Sequence, residues 1–241
     1  MMRYIDIHSH LLPGIDDGAK NLEMSMEMFH IAAGNGIGQM ILTPHNKPMH
    51  KNAGPAKIES MIQQLRECLK KEKIDIQLHA GNELYYRSDV LEELDEGKAL
   101  TMAGSGYVLT EFGPMDDYEY IRRGIYKIMA GGYRPILAHV ERYGSVCAKA
   151  ERVEDLIAMG CYIQVNAGSI MGQYGFQTKV LTRRLLKQRL VHFVATDAHN
   201  TEKRSPAIYE CAKYIEKKYG QEFAERLLID NPMRVINDEY I

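Results

Sequence analysis

Seven short apolar runs, each followed by a helix-length amphipathic stretch, set the strongest limit on how this chain can fold. They cover Tyr4 to His8, Gln39 to Thr43, Ile76 to Ala80, Tyr107 to Glu111, Pro135 to His139, Cys161 to Asn166 and Leu190 to Thr196. Several are apolar almost throughout, as parallel strands covered on both faces must be. Alternation of such runs with helices is the signature of a mostly parallel sheet or barrel. The 241 residues suit one α/β barrel, so a single domain over 1–241 is expected.

The intervening helices have local signals. Pro55 suits a first helical position, and Ile58, Met61, Ile62, Leu65, Cys68 and Leu69 after it recur every three or four residues on one face. A second helix is expected to begin at Ser205-Pro206 and stop near Gly220. Leu22 to Ala33 reads as a helix whose methionines fill core space, and the Gly-rich stretch from Met171 to Phe176 reads as a loop.

The polar residues at the ends of the runs carry the chemistry. The first run ends in His8 and His10, with Asp16 and Asp17 beyond it. The next two are followed by His45 and Glu83. The fourth ends in Glu111, the fifth in His139 and the sixth in Asn166, and the seventh is followed by Asp197 and His199. In a βα barrel the carboxyl ends of the strands meet on one rim, where active sites form. Five imidazoles and four carboxylates are therefore candidate ligands: His8, His10, Asp17, His45, Glu83, Glu111, His139, Asp197 and His199. Bringing so many ionisable groups together requires cations. His30, His50, His79 and His192 lie elsewhere in the pattern and are expected to be bystanders.

A donor set of imidazole and carboxylate without thiolate suits Mn, Fe or Zn. Nine ligands exceed the needs of one ion, and clustered cations about 3.5–4 Å apart handle phosphate esters. In Asp6-x-His8-x-His10 alternate residues share a strand face, so both imidazoles can serve one ion, with Asp6 orienting an imidazole from behind. Arg142 and Arg204 follow ligands closely, and guanidinium forks bind phosphate; surface ion pairing is the plainer alternative for both.

Other classes are disfavoured. The formal net charge of −2 comes with no basic stripe, which argues against nucleic acid as a partner. The four cysteines form no CxxC pair, so zinc knuckles and disulfide frameworks are not expected. Cys147 and Arg152 have four residues between them, one too few for a cysteine-phosphatase loop, and neither a P-loop nor a GxSxG elbow occurs. MMRYIDIHSH has no apolar signal core and no run approaches the ~20 residues that span a bilayer, so the expected location is cytoplasmic, without membrane insertion.

Taken together, the segments IDIHSHLLPGIDDGAK, TPH, GNELYY, LTEF, LAHVERY, MGCYIQVN, VATDAHN and DNPMRVI resemble the PHP (polymerase and histidinol phosphatase) superfamily. More closely, they resemble its bacterial manganese-dependent tyrosine phosphatases of capsule and exopolysaccharide loci. The resemblance spans essentially the whole chain. It implies a distorted (β/α)7 TIM-like barrel, the PHP fold, with three divalent ions on the rim, manganese foremost and iron or zinc as alternatives. By motif, His8, His10, Glu83 and Asp197 would hold one ion. Glu83 would bridge to a second shared with Glu111 and His139, and Asp17, His45 and His199 would hold the third. Arg142 and Arg204 would contact phosphate. The implied substrate is a phosphotyrosine protein, a tyrosine kinase controlling polysaccharide assembly. The loop after His45 is less arginine-rich than in the family and the stretch after Asn166 is short, which bears on substrate preference. A small-molecule phosphatase of the histidinol-phosphate kind is the first alternative. A phosphodiesterase and a non-catalytic metal-binding module follow.

Overall fold

A computed structural model describes residues 3–241. Nine strands run in the order β1 (Tyr4–Asp6), β2 (Ile37–Leu42), β3 (His45–Asn46), β4 (Gln77–Ala80), β5 (Glu83–Tyr85), β6 (Tyr107–Glu111), β7 (Arg134–Leu137), β8 (Tyr162–Asn166) and β9 (Phe193–Ala195). They form two parallel sheets, β1-β2-β4 and β3-β5-β6-β7-β8-β9. β2 and β3 are one chain pass interrupted at Thr43-Pro44, and β4 and β5 are another interrupted at Gly81-Asn82. Pro44 has no N–H to give to a ladder. At Gly81 a Cβ would come within 3.0 Å of the Ile41 side chain, so only glycine lets the strand bend there.

Seven passes therefore curl round, each followed by a helix, as the seven apolar runs predict. The ring closes between its first and last strands. Ser9 bridges Ala198 in parallel, the Asp197 N–H donates to His8 O at 2.9 Å, and the His10 N–H donates to Ala198 O at 2.9 Å. Alternate strand residues fill the inside, among them Ile41, Tyr107, Leu109, Ile136, Ala138 and Phe193. Their neighbours, such as Val108, Leu137, Ile163 and Val194, pack outward under the helices.

The helices at Leu22–Gly34 and Pro55–Lys71 lie where the sequence places them; Asn21 caps the first by accepting the Met24 N–H at 2.9 Å. Three expectations need correction. The last strand shortens from Leu190–Thr196 to Phe193–Ala195, because the His192 ring turns to accept the Ile163 N–H at 3.1 Å. The helix expected at Ser205-Pro206 starts at Tyr209, since the Arg204 carbonyl turns back to accept the N–H groups of His199 and Asn200. The loop from Met171 to Phe176 contracts to Gly172 through Gly175 between helices Ala167–Met171 and Phe176–Lys187, with both glycines at positive φ. Among the described residues no helix is long and apolar enough to cross a membrane.

Candidate metal centre

All nine candidate ligands meet at the carboxyl ends of the strands. His45 and Glu83, which follow the second and third runs, sit on β3 and β5, paired in register, which fixes their backbones. Four groups of donor atoms lie within 4.8 Å of one another: His10, Asp17, His45 and His199; His8, His10 and Asp197; His8, Glu83 and His139; and His45, Glu83 and Glu111. Glu83 stands at the centre. Its Oε1 lies 2.7 Å from His139 Nε2 and 3.3 Å from His8 Nε2, whereas Oε2 lies 2.7 Å from His45 Nδ1 and 3.4 Å from His10 Nε2. A carboxylate whose oxygens face different ligand groups is placed to bridge two ions.

The imidazoles are aimed from behind. Gln164 Oε1 is 3.2 Å from His8 Nδ1 and also accepts the His139 N–H at 2.7 Å. Asp16 Oδ2 lies 2.7 Å from His10 Nδ1, and the Asp197 carbonyl 2.9 Å from His199 Nδ1. An acceptor at Nδ1 holds a proton on that nitrogen in each of these three rings and turns Nε2 toward the centre. Gly18 allows the Asp16 turn to lie against His10: a Cβ at Gly18 would fall 2.0 Å from His10 O. Asp6, expected to orient an imidazole, does something else. Its carboxylate accepts the Thr196 N–H at 3.0 Å and the Thr196 hydroxyl, tying the first strand to the last.

Two ligands sit at strained backbone positions, His139 at φ 34° and Asp197 at φ 51°. Non-glycine residues hold the left-handed region only when their surroundings enforce it, and such strain gathers at functional sites.

Burial and close pairing set the electrostatics of the cluster. Burial alone would pull His10 down, yet the adjacent Asp16 and Glu83 carboxylates hold it up at about 10. Burial lowers His139 to about 4, and burial with the charge of His10 lowers His199 to about 4. Burial and the nearby Glu83 charge raise the Glu111 carboxyl. His45 Nδ1, Glu83 Oε2, Glu111 Oε1 and His199 Nε2 are all buried without a hydrogen bond. Buried polar atoms without hydrogen bonds are costly unless cations take their lone pairs, so the donor set fits a cluster of divalent ions.

Arg142 and Arg204 converge on Asp197: Arg142 Nη2 donates to Oδ2 at 2.6 Å and Arg204 Nη2 to Oδ1 at 2.9 Å. Arg204 Nε is buried with no acceptor. Two guanidiniums thus stand beside the donor cluster, one of them with an unused N–H.

Gln164 and Asp16 carry more of the site than their sequence positions suggest. Gln164 could have been noticed as the one polar interruption inside the apolar run Cys161 to Val165. Its Nε2 also donates to Asn166 Oδ1 at 2.8 Å, and Asn166 in turn donates to Asp197 Oδ2 at 2.8 Å. Lys47 reaches the cluster as well. The four other histidines stay outside it: His30 pairs with Glu72, His79 with Gln39 and His192 with the Ile163 N–H, while His50 lines a cleft of about 260 Å³ beside Asp17 and His45.

Comparisons with known proteins place this arrangement. A family model described as "Capsular polysaccharide synthesis, CpsB/CapC" matches residues 4–237. The tyrosine-protein phosphatase CpsB of Streptococcus pneumoniae is 35% identical over 242 residues, covering 98% of this chain and 100% of the relative. The tyrosine-protein phosphatase YwqE of Bacillus subtilis is 34% identical over 239 residues, covering 98% of this chain and 93% of the relative. A crystal structure from work on these two proteins, described as unique metal-dependent tyrosine phosphatases, superposes with a TM-score of 0.92 at 33% identity, over 98% of this chain and 96% of that one.

Proposed function

Since the chain belongs to the CpsB/CapC family of capsular polysaccharide synthesis proteins, we propose that it is a metal-dependent protein-tyrosine phosphatase working at the strand-end cluster. The observation that carries this is the convergence of nine donor residues with four orphaned buried atoms, in a chain similar along its whole length to tyrosine phosphatases.

His8, His10, Glu83 and Asp197 would hold one ion; Glu83, Glu111 and His139 a second; and Asp17, His45 and His199 a third. Manganese is the first choice for this donor set, with iron or zinc as alternatives. The ions supply Lewis-acid stabilisation of the transferring phosphoryl group and activation of water. The chain supplies the rest. Gln164, Asp16 and the Asp197 carbonyl fix the imidazole tautomers. Arg142 and Arg204 take the non-bridging phosphate oxygens, exchanging part of their pairing with Asp197 for the phosphate. A tyrosyl leaving group has a pKa of about 10, so the reaction makes small demands on a general acid.

The rim is open, with the side chains of Asp17 and Arg142 63% and 38% exposed, so a tyrosine on a protein surface has access. The substrate we favour is the phosphorylated tyrosine kinase of a polysaccharide locus, met in the cytoplasm. The test is phosphate release from a phosphotyrosyl peptide with Mn²⁺ and with EDTA, with histidinol phosphate run in parallel. Metal-dependent release from the peptide, with little from histidinol phosphate, is expected. The opposite preference would move the substrate to a small phosphate ester, and release unaffected by EDTA would remove the metal centre from the mechanism.

A further inference from the structure

Among the described residues Lys47 is the lysine drawn into the cluster, and the reaction outlined above leaves it without a role. Its backbone is clamped on both sides by Asn52: the Lys47 N–H donates to Asn52 Oδ1 at 2.9 Å, and Asn52 Nδ2 donates to the Lys47 carbonyl at 2.9 Å. The side chain, 28% exposed, extends inward, placing Nζ 3.0 Å from His45 Nε2 and 3.0 Å from Glu111 Oε1. The contact with Glu111 is an ion pair without hydrogen-bond geometry, since Oε1 remains among the orphaned buried atoms. Charge holds the ammonium there.

His45 and Glu111 are also donors to the ion groups. A lone pair on His45 Nε2 cannot serve an ammonium hydrogen and a divalent cation together, and a unit positive charge this close to a second cation is repelled. From these contacts we propose that Lys47 is an internal competitor for the cations that His45 and Glu111 would hold. The ammonium stands against both donors and must swing into the adjoining cleft when they take up their ions. The cleft, about 260 Å³, has Asp17 and His45 on its inner side and His50, Lys51 and Asn52 on its outer side, and gives the side chain room to move outward. The lysine thereby weakens the affinity of these positions relative to that of His8, His10 and Asp197. This inference rests on the metal-centre reading above.

The experiment is Mn²⁺ titration calorimetry on the metal-stripped protein, comparing wild type with Lys47→Met and Lys47→Arg. Methionine keeps length without charge or a ligand atom, and arginine keeps the charge. The weakest Mn²⁺ step should tighten by on the order of tenfold in Lys47→Met, because a partly solvated charge beside a divalent ion is screened but not cancelled, and should stay near wild type in Lys47→Arg. Lys47→Gln, which also lacks the charge, replaces the methionine variant should that one not fold. Unchanged affinity without the charge overturns the proposal, as does equal tightening in the arginine variant, which would make the effect one of shape. Wild type that takes up no Mn²⁺ would instead overturn the metal centre, and this inference with it.

Discussion

Asp6 and Thr196, 190 residues apart, are joined across the seam of the barrel by hydrogen bonds from both the Thr196 N–H and its hydroxyl to the Asp6 carboxylate. The pair lies directly under His8 and Asp197, so the strand closure and the ligand geometry share one support. Burial pushes the Asp6 carboxyl up to about 6, against the pull of those hydrogen bonds.

That shift gives a pH prediction. In an unfolded chain Asp6 titrates near 3.9, so the fold favours its protonated form. The stabilisation is full below about pH 4 and is lost as the pH rises to about 6, a change of ~3 kcal/mol. Asp6→Asn cannot ionise. Its unfolding free energy should therefore gain on that of wild type by up to this amount across the window, and the gap should stay constant above pH 7. Urea unfolding of the metal-free proteins at several pH values measures it. A gap that does not change between pH 4 and 6 would show that Asp6 does not ionise there.

Gln164 accepts at one oxygen from the His8 ring and the His139 backbone. Gln164→Leu keeps the side-chain bulk and removes both contacts. Partners of this kind typically contribute 10–100-fold to metal affinity, so Mn²⁺ binding should weaken by roughly that factor while far-UV circular dichroism stays unchanged. Undiminished affinity would mean that the His8 tautomer is set elsewhere.

Arg142 and Arg204 bind opposite oxygens of Asp197. If both cradle phosphate, Arg142→Met and Arg204→Met should each lower kcat/KM for a phosphotyrosyl peptide by about 10²–10³-fold, the scale of removing one oxyanion donor. Lysine should restore only part of this, because it lacks the planar fork. Metal content measured on the same samples separates the two readings. Lost metal with lost activity would show the arginines to be supports for Asp197 instead.

The sequence by itself determined which residue types stand at the ends of the seven strands, because strand periodicity and barrel topology together send those positions to one rim. It also determined the barrel, through apolar runs that only a doubly covered parallel sheet can bury. It could not reveal contacts made across the ring. That Gln164 serves His8, that Asp6 serves the seam and not an imidazole, and that Lys47 enters the ligand cluster each depend on how far the sheet curls. The left-handed turns at His139 and Asp197 fall on residue types that tolerate that backbone better than most, but only the closed barrel selects these two positions for it.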